Sequence, residues 1–215
     1  MGYEVNVTRA LVAGEGGWYP ILRSEVDELV NGEADLVIDH RSIGWGSENL
    51  WFRDGALSAN RPSDGLLRRM IELAARLDAW VIGDDGELYE WDGEQIVSRP
   101  QAPAWNSRYL TRGTSAAGLN YKAPIHPDEW AALAAGQSDF AMMTTIVAML
   151  PSGVRRIACP PIPCWTGHPS GEPIPFFFDE DLIEVRRADA PTVDRMAALA
   201  TVLGARVVDD DDQPA

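Results

Sequence analysis

Apolar and polar residues alternate at period two along Tyr3-Glu4-Val5-Asn6-Val7, which predicts a strand with one buried face. Ser24 ahead of Glu25–Val30 predicts a short helix with a serine cap and acids in its first turn, ended at Gly32. Asn49–Ala59 reads as a strand pair about Arg53-Asp54-Gly55, because Asp-Gly suits the tight turn of a hairpin. Leu66, Met70, Leu73 and Leu77 make the apolar stripe of a longer helix, Ser63–Leu77. Strands at Ala79–Ile82, Leu88–Trp91 and Gln95–Val97 follow, separated by Asp84-Asp85-Gly86-Glu87 and Asp92-Gly93.

The same plan recurs further along. At an offset of 126 residues, Trp51–Gly55 falls on Phe177–Asp181, Arg69-Met70 on Arg195-Met196, and Leu77, Ala79 and Val81 on Leu203, Ala205 and Val207. Nearer the N-terminus, Thr8-Arg9 matches Thr111-Arg112 and Pro20-Ile21 matches Pro124-Ile125, at an offset of about 104, leaving about 22 extra residues inside the second copy. That copy is expected to hold helices at Glu129–Ala135, opened by His126-Pro127-Asp128, and at Pro191–Leu203, with a closing strand at Ala205–Val208. The extra residues read as a strand at Thr144–Leu150, a turn at Pro151-Ser152-Gly153 and a strand at Val154–Ile157. The expected fold class is α+β: two tandem copies of a two-layer unit, each an antiparallel-rich sheet with two helices. The expected boundaries are 1–98, a Pro-rich linker at 99–107, and 108–215 with an inserted strand pair and an acidic tail.

Charge narrows the function. The 215 residues carry 18 Lys plus Arg against 33 Asp plus Glu, a net charge of −15, and 46% are hydrophobic. Such a surface repels phosphate and anionic lipid, which argues against nucleic acid and membrane as partners. Met1–Val5 lacks the basic, then apolar, pattern of a secretory leader, and two cysteines make no disulfide framework, so a cytoplasmic location is expected.

The motifs resemble those of a group of small bacterial proteins. They are a tyrosine ahead of Thr-Arg, then Pro-Ile before a short acidic helix; Trp165–Glu172 leading into Phe176–Phe178; Ile82–Tyr89; and Leu203 to Asp211. The resemblance is to acidic immunity proteins, the cognate neutralisers of secreted polymorphic toxins. It implies a non-enzymatic protein without cofactor that binds a basic toxin and occludes its active site, and it supplies no catalytic residues. The oligomeric state is left open.

Several residue sets carry candidate chemistry, each with a simpler reading. Cys159, Cys164 and His168, with Glu172 as a fourth group, form a metal-like set, but the spacing lacks paired knuckles and three prolines stiffen it, which favours buried thiols. His40 suits a surface strand end, and His126 an exposed turn at a helix start. No nucleophile elbow or phosphate loop is present. Asp84, Asp85 and Glu87, and at the equivalent place Asp209, Asp210 and Asp211, are either solvated turns or a carboxylate surface for a basic toxin. Among eight tryptophans, Trp51 and Trp80 have core-like neighbours, whereas Trp45 and Trp165 read as loop residues, each either a lid on the core, the simpler reading, or an anchor of the toxin-binding surface. The rival classes are an interaction module without a toxin and an unrecognised hydrolase.

Overall fold

The computed structural model describes residues 3–12, 14–100, 107–113, 123–209, 211 and 213. Most of the Pro-rich linker (101–106), Trp105 and Asp210 therefore lie outside the described residues. The protein is a mixed α+β fold with several antiparallel sheets and, among the described residues, four α-helices. It divides into two compact units, Met1–Ala102 with Thr145–Pro160, and Pro103–Thr144 with Pro161–Ala215.

In the first unit the chain runs β1 (Glu4–Thr8), α1 (Arg23–Asn31), β2 (Leu36–Asp39), β3 (Ser42–Trp45), β4 (Glu48–Arg53) and β5 (Ala56–Asn60). It continues through α2 (Asp64–Leu77), β6 (Trp80–Gly83), β7 (Leu88–Trp91) and β8 (Ile96–Arg99). The strands form one sheet in the order β2-β3-β4-β5-β1-β6-β7-β8. Val5, Val7, Leu57, Ala59 and Val81 point to one face and pack with Val26, Leu29, Leu66, Met70 and Leu73 of the two helices. Strand alternation then turns Glu4, Asn6 and Thr8 to the opposite face.

The second unit holds β9 (Arg108–Thr111), α3 (Pro127–Ala135), the start of β10 (Phe140–Leu150), the end of β11 (Gly153–Trp165), and β12 (Ile174–Pro175), the rest of β10 and β11 falling in the first unit. After these come β13 (Phe177–Asp179), β14 (Leu182–Val185), α4 (Ala190–Leu203) and β15 (Arg206–Val208). One sheet has the order β13-β14-β9-β15, and β10, β11 and β12 form another. Leu110, Ile183 and Val207 pack with Trp130, Met196 and Leu199 from α3 and α4.

The ladders of the two units run in step. Val7 pairs with Leu57 and with Val81, and Leu110 pairs with Ile183 and with Val207. Asp54, Arg61 and Asp78 have positive φ, and so do Glu180, Arg187 and Gly204, each 126 residues on. The arginine after β1 and the one after β9 are bound alike. Arg9 donates to the carbonyls of Leu77 and Pro20 and to Glu25, at 2.7 Å for the ion pair. Arg112 donates to the carbonyls of Leu203 and Pro124 and to Glu129. Each guanidinium thereby ties the C-terminal end of the long helix to the loop before the short one.

Several expectations need correction. Leu22, not Ser24, is the N-cap of α1, and Glu25 reaches back to accept the Leu22 N–H at 2.7 Å. Trp45 and Trp165 are not in loops; they close β3 and β11. Gly44 and Gly46 disguised β3: the first lies within the strand, and only the second adopts positive φ for the turn. The inserted strands are also longer than read. β11 continues through Pro160, Pro161 and Pro163, since proline's fixed φ is compatible with extended backbone and costs only a donor.

Candidate functional site

Where the first unit's sheet turns away from its helices, the side chains form a cross-strand row. Trp51 pairs with Ser58, Ser58 with Asn6, and Asn6 with Ile82. Glu4 lies one step along β1, paired with Asn60. Asp54 and Gly55 both take positive φ, 48° and 71°, in the β4–β5 turn, as the Asp-Gly pair foretold. A short helical turn, Glu15–Gly17, seats against that hairpin. Its approach requires glycine: a Cβ at Gly16 would stand 2.7 Å from the Asp54 carbonyl and 3.1 Å from the Ala56 Cβ.

Between this turn and Asp84 lies a cleft of about 320 Å³, lined by Glu4, Asn6, Arg53, Asp54, Ser58 and Asp84 with small residues around them. Arg53 Nη2 donates to both Glu4 carboxylate oxygens, at 2.5 and 2.6 Å, although its side chain is 58% exposed. Asp84 Oδ2 accepts the Glu4 backbone N–H at 2.7 Å, which fixes that carboxylate at the rim. The half-buried Asn6 carboxamide also lines the cleft. Three carboxylates face one guanidinium here, so the cleft is net negative. Trp51, 51% exposed, stands beside Ser58.

The acids read from sequence separate into different roles. Asp84 lines the cleft, and Asp85 is exposed next to it. Glu87 is turned into a half-buried chain, accepting from the Tyr89 hydroxyl at 2.7 Å, which in turn meets the Tyr3 hydroxyl at 2.9 Å. Burial, with the hydrogen bond and charge of Glu87 and the charge of Asp85, pushes Tyr89 up to about 12. Gly83 makes room for this chain, because a Cβ there would collide with Tyr3 and Glu87. Asp209 caps its own tail, accepting N–H groups of Asp211 and Gln213, and Asp211 is exposed. Asp210 lies outside the described residues.

The two candidate anchors are committed inside their units. Trp45 Nε1 donates to Asp35 at 2.9 Å and its ring packs on the core. Trp165 is only 7% exposed and donates to Asp139 at 2.8 Å. Arg69 also pairs with Asp35, and Arg195 with Asp139, so each indole closes a matching arginine–aspartate cluster. Among the described residues the most exposed indole is Trp51, which core-like neighbours concealed in the sequence. The polar alternation of Glu4, Asn6 and Thr8 was the signal that could have found the cleft.

His168 shares Nδ1 with Ser170 Oγ at 2.6 Å and Nε2 with Asp189 at 3.0 Å, while Asp189 caps α4 through Thr192. Cys164 is buried with Sγ against the Ile162 carbonyl, and burial raises the Cys159 thiol. Among the described residues no cluster of three His, Cys, Asp or Glu side chains is placed to hold a metal, and no helix is long and apolar enough to cross a membrane.

Fold and site define a class: a mixed α+β protein that presents a polar, net-negative cleft on the sheet face away from its helices. No family model, curated protein or solved structure matches the chain.

Proposed function

We propose that the protein is an immunity-type binding protein. It neutralises a basic toxin in the bacterial cytoplasm by covering the toxin's active site with the open face of the first unit. The observation that carries this reading is that face itself: a cleft edged by Glu4, Asp54 and Asp84, with a half-exposed tryptophan beside it. A central aromatic anchor within a polar, charged rim is the usual anatomy of a specific protein interface. The net charge of −15 would speed encounter with a basic partner. In this reading Asp84 and Asp85 form the rim, and Trp51 rather than Trp45 or Trp165 is the anchor.

We further infer that the chain arose by tandem duplication of one two-layer unit. The in-step ladders, the matched positive-φ positions and the paired Arg9 and Arg112 networks support this reading. Only the first copy then keeps the docking face.

The test is capture followed by rescue. Tagged protein is used to retrieve its partner, the partner is expressed in a sensitive host, and growth is scored with wild-type protein and with Trp51→Ala. Protection by the wild type that weakens in the variant is expected. A partner without toxicity, or protection indifferent to Trp51, would contradict the reading.

A further inference from the structure

We infer that the cleft is an arginine site: the docked partner inserts one guanidinium against Glu4, displacing Arg53. This rests on the docking reading above and names what the cleft would hold. Arg53 is the in-chain precedent, since a guanidinium already sits on the Glu4 carboxylate. An ion pair formed by so exposed an arginine stabilises little, so exchanging it for an incoming arginine is nearly neutral in cost.

The remaining groups also suit a guanidinium. Asn6 offers a half-buried carboxamide oxygen in the lining, and Asp54 and Asp84 add negative charge at the edge. The walls at Gly14, Gly16, Ala56 and Ser58 are small, which leaves room for a long unbranched side chain. Arginine's planar fork can engage the carboxylate and the carboxamide together, whereas a lysine ammonium would meet Glu4 as a point charge. An anion is disfavoured, because three carboxylates outnumber the single arginine.

The experiment titrates L-arginine amide into the isotope-labelled full chain and follows the Asn6 side-chain amide and the Gly16 backbone amide by NMR. Lysine amide, citrulline amide and inorganic phosphate are titrated in parallel. Saturable shifts with arginine amide are expected in the millimolar range. Affinity should be several-fold weaker for lysine amide and absent for citrulline amide, which has the shape without the charge. Arg53→Ala should tighten arginine amide several-fold by freeing Glu4, and Glu4→Gln should weaken it at least tenfold. Asn6→Ala should give a smaller loss and guards against misfolding of the Glu4 variant.

No saturable shift in either the wild type or Arg53→Ala would overturn the inference. Phosphate binding that Arg53→Ala abolishes would overturn it too, by making Arg53 the recognition group. The two readings fail separately. Partner capture that depends on Trp51 without arginine-amide binding sinks only the arginine site, whereas arginine-amide binding without Trp51-dependent capture sinks the docking surface.

Discussion

Trp51 on β4 and Phe177 on β13 stand 126 residues apart at corresponding places in two ladders, yet they meet opposite surroundings. Trp51 is 51% exposed beside Ser58 and Asn6, whereas Phe177 is 1% exposed under the Arg186 guanidinium, 4.6 Å from its ring. Where the first unit has Ser58, the second has Glu184, bound to Arg186 and to Ser107. Where the first has Asn6, the second has Tyr109. The backbones share register, so the ladder does not make the cleft. Small polar side chains leave Trp51 exposed beside a cleft in one unit, and large ones with an internal ion pair cover the equivalent aromatic in the other.

The sharpest way to break this comparison is to truncate both aromatics. Phe177→Ala should cost about 3–5 kcal/mol of stability, as for other fully buried aromatics. Trp51→Ala should stay within about 0.5–1 kcal/mol of the wild type. Urea unfolding followed by circular dichroism would measure both, and equal losses would contradict the difference between the faces.

The clamps come next, because there the units should behave alike. Arg9→Ala and Arg112→Ala each leave a carboxylate and two carbonyls without their donor, at a cost of about 2–3 kcal/mol. The same unfolding curves check this, and a large loss for one clamp with none for the other would undo the structural parallel.

Acid should then act through the clamp carboxylates. Burial alone would raise Glu25, but the Arg9 and Leu22 hydrogen bonds and the Arg9 charge outweigh it and hold the carboxyl below its ordinary 4.5. The Arg112 hydrogen bond chiefly holds Glu129 low, and the Thr192 hydroxyl chiefly holds Asp189 low. With folded values depressed, their stabilisation is full above the unfolded carboxylate range and is lost as pH falls through the folded values. Stability should therefore fall from about pH 5 to pH 3, and less steeply in Arg9→Ala and Arg112→Ala. Urea midpoints across that range would show it. The smallest expected effect concerns the thiols: with Cys164 buried and Cys159 raised by burial, both should react slowly with a disulfide reagent at neutral pH until the protein unfolds.

The helices and central strands were legible in the sequence because period agrees with burial: the Leu66–Leu77 stripe is buried as read, Ser63 caps α2, and Asp54-Gly55 makes its turn. β3 was hidden because glycines interrupt and end it, and β2 because it pairs only with β3 at the sheet's edge. The cleft was less legible still. Asp84 was found through its acidic run, but Arg53 and Glu4 are 49 residues apart and meet only through strand pairing. Tryptophan context misled in both directions, since a neighbouring apolar residue on a strand lies on the other face.

The central claim, that the first unit's open face holds the partner, is tested most directly by hydroxyl-radical footprinting of Trp51 in the free protein and in the captured complex. Trp91, 37% exposed and covered on one side by Arg68 at 3.4 Å, serves as the internal reference. The account predicts that complex formation suppresses Trp51 oxidation severalfold while leaving Trp91 unchanged; Trp51 oxidised as fast in the complex as in the free protein would contradict it.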